Sequence, residues 1–494
     1  MEMKDKNNTS KIYDKTSIDN YPLLKSWIHD YRARNGVQPK YYIRTFGCQQ
    51  NEADSEIMAG IVEKIGFEPV DSYASADLVL INTCSVRENA DERFYGHLGS
   101  IKRYAGAKGE LILGVCGCMT AQDFHVERIK RSFRYVDFLL QPDQISFLLD
   151  FIEEGLKGKD TYYNQEKSAR FHEDMPIARQ RRYRALVSIM YGCNNFCSYC
   201  IVPYARGRER SRLAEDILLE IRDIAESGTP EIMLLGQNVN AWGKDLEPKA
   251  EGQPTFAQLL EQAAGIEGIH RIRFMTSHPK DLSAELIDTI GRIEKIEPHV
   301  HLPLQSGSNR ILTRMNRKYT REDYLEIVRQ LRLARPDITI STDIIVGFPG
   351  EEEEDFNDTI DIMEQVRFDS AFTFIYSPRV GTPAAAWYDP EGREAVQERF
   401  ERLVDLQNEH SLDSNLKMVG KVLEVLCEGE SSADSKILSG RTADNRLVNF
   451  SPLKVPETDD EAEESMRLSR EGEFISVRIT NAKTFSLEGE EVVC

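Results

Sequence analysis

The 494-residue chain carries 82 acidic against 62 basic side chains, a formal net charge of −20, with 40% hydrophobic residues and nine cysteines. That length accommodates two to four domains whose cores need no disulfides, and the acidic balance taken alone argues against a nucleic-acid binder, since phosphate binding wants Lys and Arg. No apolar run approaches a membrane span and the polar stretch Met1–Asn20 lacks a signal-peptide core, so a cytoplasmic protein without membrane attachment is expected.

In chain order, residues 1–38 form a polar extension with one amphipathic patch (Tyr21, Leu23, Leu24, Trp27, Ile28), expected to be partly disordered. Residues 39–156 alternate strand and helix. Tyr41–Thr45, Leu78–Asn82, Leu111–Val115 and Phe138–Leu140 read as strands, and Glu52–Ile65 as a helix, the pattern of an open parallel α/β sheet. The first three strands run directly into Phe46-Gly47-Cys48, Cys84-Ser85 and Cys116-Gly117-Cys118. Ligand crevices in open α/β sheets lie at the carboxyl ends of the strands, so Cys48, Cys84 and Cys118 are expected to converge. Buried free cysteines are common in cores, but three in succession at strand ends favour a site. Cys116 reads as structural or accessory. Residues 157–178, polar and opened by Gly155 and Gly158, read as a connector.

Residues 179–411 hold a second α/β array. Its strands are expected at Ala185–Met190, Glu231–Leu235, Arg271–Met275, His299–Leu302, Ile338–Val346 and Ala371–Tyr376. Helices are expected at Leu213–Ser227, Phe256–Ala264, Leu282–Arg292, Arg321–Ala334 and Asp355–Val366. Six β/α units predict a partial (β/α)6 barrel. Polar and Gly-rich residues follow its strands: Gly236-Gln237-Asn238, Thr276-Ser277-His278, Gln305-Ser306-Gly307 and Gly347-Phe348-Pro349-Gly350. The C-terminal rim is where barrel enzymes build their sites.

The first strand of this array feeds Cys193-Asn194-Asn195-Phe196-Cys197-Ser198-Tyr199-Cys200. Three thiolates on one compact loop can hold a cubane iron–sulfur cluster and leave one of its four irons open. A structural zinc loop is the alternative, but such sites are closed by four ligands, usually in two pairs, and no partner pair lies nearby. Arg179, Arg181, Arg182, Arg184, Arg206, Arg208, Arg210 and Arg212 bracket the loop. Basic residues on both sides of an active loop favour phosphate contact over a merely solvated face.

A helix at Glu394–Leu416 leads into short β segments at Val419–Leu426, Arg446–Phe450, Glu473–Thr480 and Phe485–Glu488, a small antiparallel β-barrel over residues 412–490. The acidic run Glu457–Glu464 reads as a solvated loop, and Cys427 and Cys494 receive no role.

The spacing Cys193-x3-Cys197-x2-Cys200, with Tyr199 before the last cysteine, resembles the radical S-adenosylmethionine signature. Together with Cys48, Cys84, Cys118 and the final small barrel, which is similar to an RNA-binding TRAM domain, the chain resembles the methylthiotransferase family. Tyr191–Cys197, Ile201–Glu209, Gly236–Asn240 and His301–Gly307 resemble its tRNA-modifying branch. The resemblance implies two 4Fe–4S clusters and S-adenosyl-L-methionine, and a methylthio group added to carbon 2 of N6-isopentenyladenosine at position 37 of tRNA. Cys193, Cys197 and Cys200 would hold the cluster that cleaves S-adenosylmethionine, and Cys48, Cys84 and Cys118 the one that carries sulfur. Tyr199, Gln237, Ser277, Gln305 and Asp343 are the rim candidates for S-adenosylmethionine. Arg206, Arg208, Arg210, Tyr204 and Phe348 are the candidates for contact with the anticodon stem-loop of tRNA, whose single-stranded bases stack on aromatic and Arg side chains. A flavodoxin-like electron donor and a monomeric state are further expectations. The rivals are the family members that modify threonylcarbamoyladenosine in tRNA or an aspartate of a ribosomal protein, and, from another class, a non-catalytic iron–sulfur RNA-binding regulator.

Overall fold

The computed structural model describes residues 16–85, 88–108, 111–158, 161–162, 175–246, 253–389, 392–453 and 470–493. The acidic run, Cys494 and most of the expected connector lie outside them. The chain divides into two compact units, Met1–Ala178 and Arg179–Cys494.

The first unit is built on β1 (Lys40–Phe46), β2 (Glu68–Pro69), β3 (Leu78–Thr83), β4 (Ile112–Gly117), β5 (Phe138–Leu140) and β6 (Thr161–Tyr162). They form one six-stranded sheet in the order β2-β1-β3-β4-β5-β6, parallel throughout. Strand β3 is buried along its whole length, with Leu78 and Leu80 in one core and Val79 and Ile81 in the other. A sheet covered on both faces needs such an unbroken apolar run. Cys116 packs into the first of these cores, in keeping with a structural role. The short strands β2 and β6 lacked a sequence signal, because two residues carry no period. Strand β6 also falls inside the stretch expected to be a connector.

Of the extension 1–38, residues 1–15 lie outside the described residues, and the remainder is ordered around one helix. Pro22–Asn35 is a helix with Leu24 and Ile28 buried against the sheet core. Trp27 stacks on Phe67, and the Tyr21 hydroxyl donates to Asp150. The amphipathic patch is therefore a docked face.

The second unit begins with β7 (Arg184–Ser188) and a small hairpin of β8 (Met190–Tyr191) and β9 (Arg210–Ser211). It continues through β10 (Glu231–Leu235), β11 (Arg271–Phe274), β12 (His299–His301), β13 (Thr339–Val346) and β14 (Ser370–Ile375). The sheets β11-β10-β7 and β12-β13-β14 are parallel. A bridge from Ile272 to Ile296 joins them into an open arc of six strands. One helix, Asn309–Arg314, was not expected; at six residues it is too short to show helical periodicity.

After the helix Arg393–Leu416 come β15 (Val422–Ser431), β16 (Asp434–Thr442), β17 (Leu447–Ser451), β18 (Phe474–Ala482) and β19 (Leu487–Glu491), closed in the order β15-β16-β17-β19-β18. Four pairings are antiparallel; the fifth, β17 with β19, is parallel, the one departure from an antiparallel barrel. Cys427 lies in its core.

This small barrel meets the starts of the arc's strands. Arg273 donates to the Thr442 and Ala443 carbonyls at 2.8 and 3.0 Å while pairing Glu231 at 2.9 Å. Arg271 reaches the Arg441 carbonyl and Glu424, Thr339 donates to the Asp444 carbonyl, and Arg446 pairs Asp369. Docking here leaves the opposite, C-terminal rim for other partners. Removing one member of a buried ion network strands its partners, at about 3–5 kcal/mol. Arg273→Met, which leaves Glu231 and Glu297 without their shared cation, is expected to lose stability on that scale, read as a lower unfolding temperature in scanning calorimetry.

Candidate functional site

The cysteine loop leaves β8 and returns through β9. Gly192 has φ +78°, and a Cβ there would sit 2.1 Å from the Arg208 carbonyl oxygen, so the turn into Cys193 accepts only glycine. The Gly192 N–H donates to Gln237 Oε1. Cys193 N–H donates to the Gly207 carbonyl, and Asn194 and Glu209 exchange hydrogen bonds. On the far side, Ser198 N–H donates to the Met315 carbonyl and its hydroxyl to the Arg314 carbonyl. Asn316 Nδ2 reaches the Asn195 and Phe196 carbonyls, and Ala384 N–H meets the Ser198 carbonyl. The loop is thus pinned from four directions, and Cys193 and Cys197 are buried.

Burial pushes the Cys193 thiol up to about 11 and the Cys200 thiol up to about 12, and the neighbouring cysteines add to both shifts. Such thiols ionise when an adjacent metal cation displaces the proton. Among the described residues no three His, Cys, Asp or Glu side chains gather around one metal ion. A cubane gives each thiolate its own iron and asks for no such convergence, so the soft, spaced donor set of this loop fits a cluster.

The rim around the loop is strained. Among the described residues six non-glycine residues have positive φ, and four of them, Phe196, Thr276, Gln305 and Asn316, belong to the loop or the rim segments beside it. Backbone strain of this kind is concentrated at functional sites. The Ser277 hydroxyl is buried and has no hydrogen-bond partner. Gln305 exchanges backbone hydrogen bonds with Asp343 and Ile345, Asp343 faces His301 at 3.5 Å, and Tyr199 packs edge-on against Phe348. Of the five rim candidates, Tyr199 lies on the loop, Gln237, Ser277 and Gln305 follow β10, β11 and β12, and Asp343 lies within β13; Gln237 is engaged in shaping the loop.

In the first unit, Phe46 pairs with Thr83 and Thr83 with Gly117, so β1, β3 and β4 end level. Cys48, Cys84 and Cys118 follow these three ends directly, on neighbouring strands about 4.8 Å apart. Two buried asparagines hold the ends together. Asn51 Nδ2 donates to Asn82 Oδ1 and the Thr83 carbonyl, its Oδ1 lies 3.3 Å from Cys48 Sγ, and Asn82 Nδ2 donates to the Asn51 carbonyl and Ser55. Gly117, at φ +96°, passes so close that a Cβ would lie 2.3 Å from the Thr83 carbonyl oxygen. Cys84 and Cys118 are buried and Cys48 is exposed. The asparagines had no sequence signal beyond their nearness to cysteine.

Three family models match the chain: an uncharacterized protein family, UPF0004, over residues 40–141, the radical SAM superfamily over 187–363, and the TRAM domain over 416–492. The chain is 47% identical over 470 residues to the tRNA-2-methylthio-N(6)-dimethylallyladenosine synthase of Acetivibrio thermocellus, covering 95% of this chain and 94% of that one. It is 44% identical to the same enzyme from Clostridium tetani, covering 95% of this chain and all of that one. The chain belongs to the tRNA-2-methylthio-N(6)-dimethylallyladenosine synthase family. Among solved structures, the radical S-adenosylmethionine methyltransferase TsrM of Kitasatospora setae shares the fold at 15% identity, with a TM-score of 0.53 over 70% of this chain and 77% of that one.

For a synthase of this family, the placement of the arginines matters. Arg179 and Arg212 both pair with Glu220, and Arg184 faces Glu231. Arg206 and Phe348 are buried, so neither presents a face to RNA, against the expectation above. Arg208 is exposed and lies over the Phe196 ring at 5.2 Å, Arg210 is half-buried, and Tyr204 is exposed with its edge to Phe196. The sequence showed the basic bracket but not which cations are engaged inside. Among the described residues no helix is long and apolar enough to cross a membrane.

His278, at the end of β11, is lowered from its ordinary 6.5 to about 2 by burial and by the charges of Arg317, Lys280 and Lys244. Its neutral Nδ1 accepts from Lys280 N–H at 3.3 Å. A depressed folded value means that the unfolded chain alone takes up the proton as pH falls below about 6.5, so this contribution to stability is present at neutral pH and lost on acidification. Between pH 7 and pH 5 it amounts to about 2 kcal/mol. Urea unfolding of His278→Asn, compared with the parent at the two pH values, is expected to show a correspondingly smaller loss.

Proposed function

We propose that this protein is the tRNA methylthiotransferase that adds a methylthio group to carbon 2 of N6-isopentenyladenosine at position 37, beside the anticodon. The observation that carries the reading is the 47% identity along 95% of the chain, joined to one cysteine triad after the ends of three parallel strands and a second on the loop of the β8–β9 hairpin. Residues 39–156 serve as the auxiliary-cluster domain, 157–178 as the connector, 179–411 as the radical core and 412–490 as the RNA-binding barrel, after the polar extension 1–38.

Cys193, Cys197 and Cys200 hold one 4Fe–4S cluster, and Cys48, Cys84 and Cys118 hold the other. When bound, the clusters and S-adenosyl-L-methionine supply the electron, the sulfur, the methyl group and the radical route that an unactivated aromatic C–H bond requires. The protein contributes position and environment. The pinned loop with its buried cysteines keeps water from the thiolates, and the rim residues Tyr199, Ser277, Gln305 and Asp343 are placed to receive S-adenosylmethionine, with the unpartnered Ser277 hydroxyl the donor best suited to a polar group of that ligand. Gln237 acts through the Gly192 turn, as a positioning residue.

The anticodon stem-loop is the macromolecular partner. Its unstacked bases suit the exposed Tyr204 and the Arg208–Phe196 pair, since aromatic and guanidinium faces stack on single-stranded bases. Arg210 completes that edge. A flavodoxin-like protein supplies electrons, and the enzyme works as a cytoplasmic monomer.

Mass spectrometry of tRNA nucleosides from a strain lacking this protein tests the substrate. Isopentenyladenosine is expected to accumulate while its methylthio derivative disappears; a change confined to threonylcarbamoyladenosine would overturn the reading. Two variants separate the triads. Cys197→Ala is expected to abolish S-adenosylmethionine cleavage, whereas Cys84→Ala is expected to retain cleavage and lose sulfur insertion, both followed by chromatography of 5′-deoxyadenosine and modified RNA.

A further inference from the structure

Arg317 is a buried cation with no carboxylate ion-paired to it among the described residues. Its side chain is 8% exposed. Nε donates to the Tyr319 hydroxyl at 3.0 Å, Nη2 to the Pro303 carbonyl at 3.0 Å, and Nη1 points at Cys197 Sγ, 3.4 Å away. The Tyr319 hydroxyl in turn donates to the Pro303 and Leu304 carbonyls, which fixes the guanidinium plane. Three other buried arginines of this unit have acidic partners: Arg184 and Arg273 face Glu231, and Arg271 faces Glu297. Around Arg317 the titratable groups include Tyr319, Tyr199, Tyr324, Cys197, Cys200 and His278. Tyrosines and this histidine are neutral at neutral pH. The neighbours able to supply negative charge are thiols of the cysteine loop, and of these Cys197 is the one in contact with the guanidinium.

A buried charge without a counter-charge is costly enough that such residues persist only where a partner arrives or a function demands them. Here the partner is a thiolate carried by a cluster. Hydrogen bonds to the sulfurs and the net charge around an iron–sulfur cluster set its reduction potential. A fixed positive charge and a donor at one ligand sulfur both favour the electron-richer state.

We propose that Arg317 sets the reduction potential of the cluster on Cys193, Cys197 and Cys200, by placing an unpaired buried guanidinium against Cys197 Sγ. The proposal rests on the reading that those three cysteines hold that cluster. Arg317 acts through Cys197 and is therefore a positioning residue. Its planar fork serves three acceptors at once, which a lysine ammonium on a flexible stem cannot reproduce.

The test uses full-length protein carrying Cys48→Ala, Cys84→Ala and Cys118→Ala, reconstituted anaerobically with iron and sulfide so that a single cluster reports. Redox titration followed by electron paramagnetic resonance compares Arg317, Arg317→Gln and Arg317→Lys, with iron content and unfolding temperature measured alongside. Arg317→Gln is expected to shift the midpoint to more negative potential by at least a tenfold change in the reduction equilibrium, about 59 mV for one electron. Arg317→Lys, which keeps the charge, is expected to shift less than half as far. Loss of the cluster in the Gln variant with retention in the Lys variant equally supports a charge at this place. Equal potentials in all three proteins, or equal loss of iron from both variants, overturns the proposal. Failure of the Arg317 parent itself to bind a cluster would instead sink the assignment of the three cysteines.

Discussion

Parallel strands that end level decide where every functional side chain of this protein can be. In the first unit the registers Phe46–Thr83 and Thr83–Gly117 bring three strand ends into line, and the chain places a cysteine directly after each. A slip of one residue in either ladder would turn a cysteine from the crevice towards a core, since successive strand residues face opposite sides. Position relative to the strand end matters as much as register. Two residues from Cys118 and still inside β4, Cys116 packs in the apolar core, where burial raises its thiol above the ordinary range. Residue type alone does not separate the two cysteines; the end of the ladder does.

The second unit applies the same constraint and adds a directional one. Its arc of parallel strands has two ends, and the small barrel occupies the N-terminal one through a set of buried charges, with Arg271 and Arg273 serving both Glu231 or Glu297 and the carbonyls of the barrel's turn. Glu297 is pushed up to about 7 by its burial despite the two arginines, a sign of how dry this junction is. The strained residues gather at the opposite rim. Phe196, Thr276, Gln305 and Asn316 each hold a left-handed backbone that costs on the order of 1 kcal/mol or more, and the hydrogen bonds of the loop from Asn316 and Ser198 keep two of those segments in place. Stability is concentrated at one end of the barrel and strain at the other.

Much of this was legible from residues alone. Strands with unbroken apolar runs, such as Leu78–Thr83 and Glu231–Leu235, declare themselves because both faces are covered, and helices such as Arg321–Ala334 do so through their periodicity. The two cysteine triads were visible because each sits at a strand end or on one loop. What stayed hidden depends on contacts distant in sequence. Asn51 and Asn82 look like ordinary polar residues until their side chains are seen closing three strand ends. Arg317 lies 120 residues from the sulfur it addresses. The helix Pro22–Asn35 reads as polar because only its buried stripe, with Leu24 and Ile28, carries the docking. The basic bracket around the loop misled in the opposite way, for sequence counts charges and cannot show that Glu220 already engages Arg179 and Arg212.

That last point bears on how a chain with a net charge of −20 can take tRNA as its substrate. Beyond about 8–10 Å, charges in physiological salt are largely screened, so the global balance matters less than what stands within one screening length of the bound phosphates. The arginines consumed in ion pairs stiffen the loop and contribute little attraction. Those left over, Arg208 above Phe196 and the partly exposed Arg210 beside it, stand at the edge of the cysteine loop where a base must be delivered. On the proposed reading, few cations backed by aromatic faces that stack with any base suit recognition of an unpaired loop more than of the phosphates of a duplex.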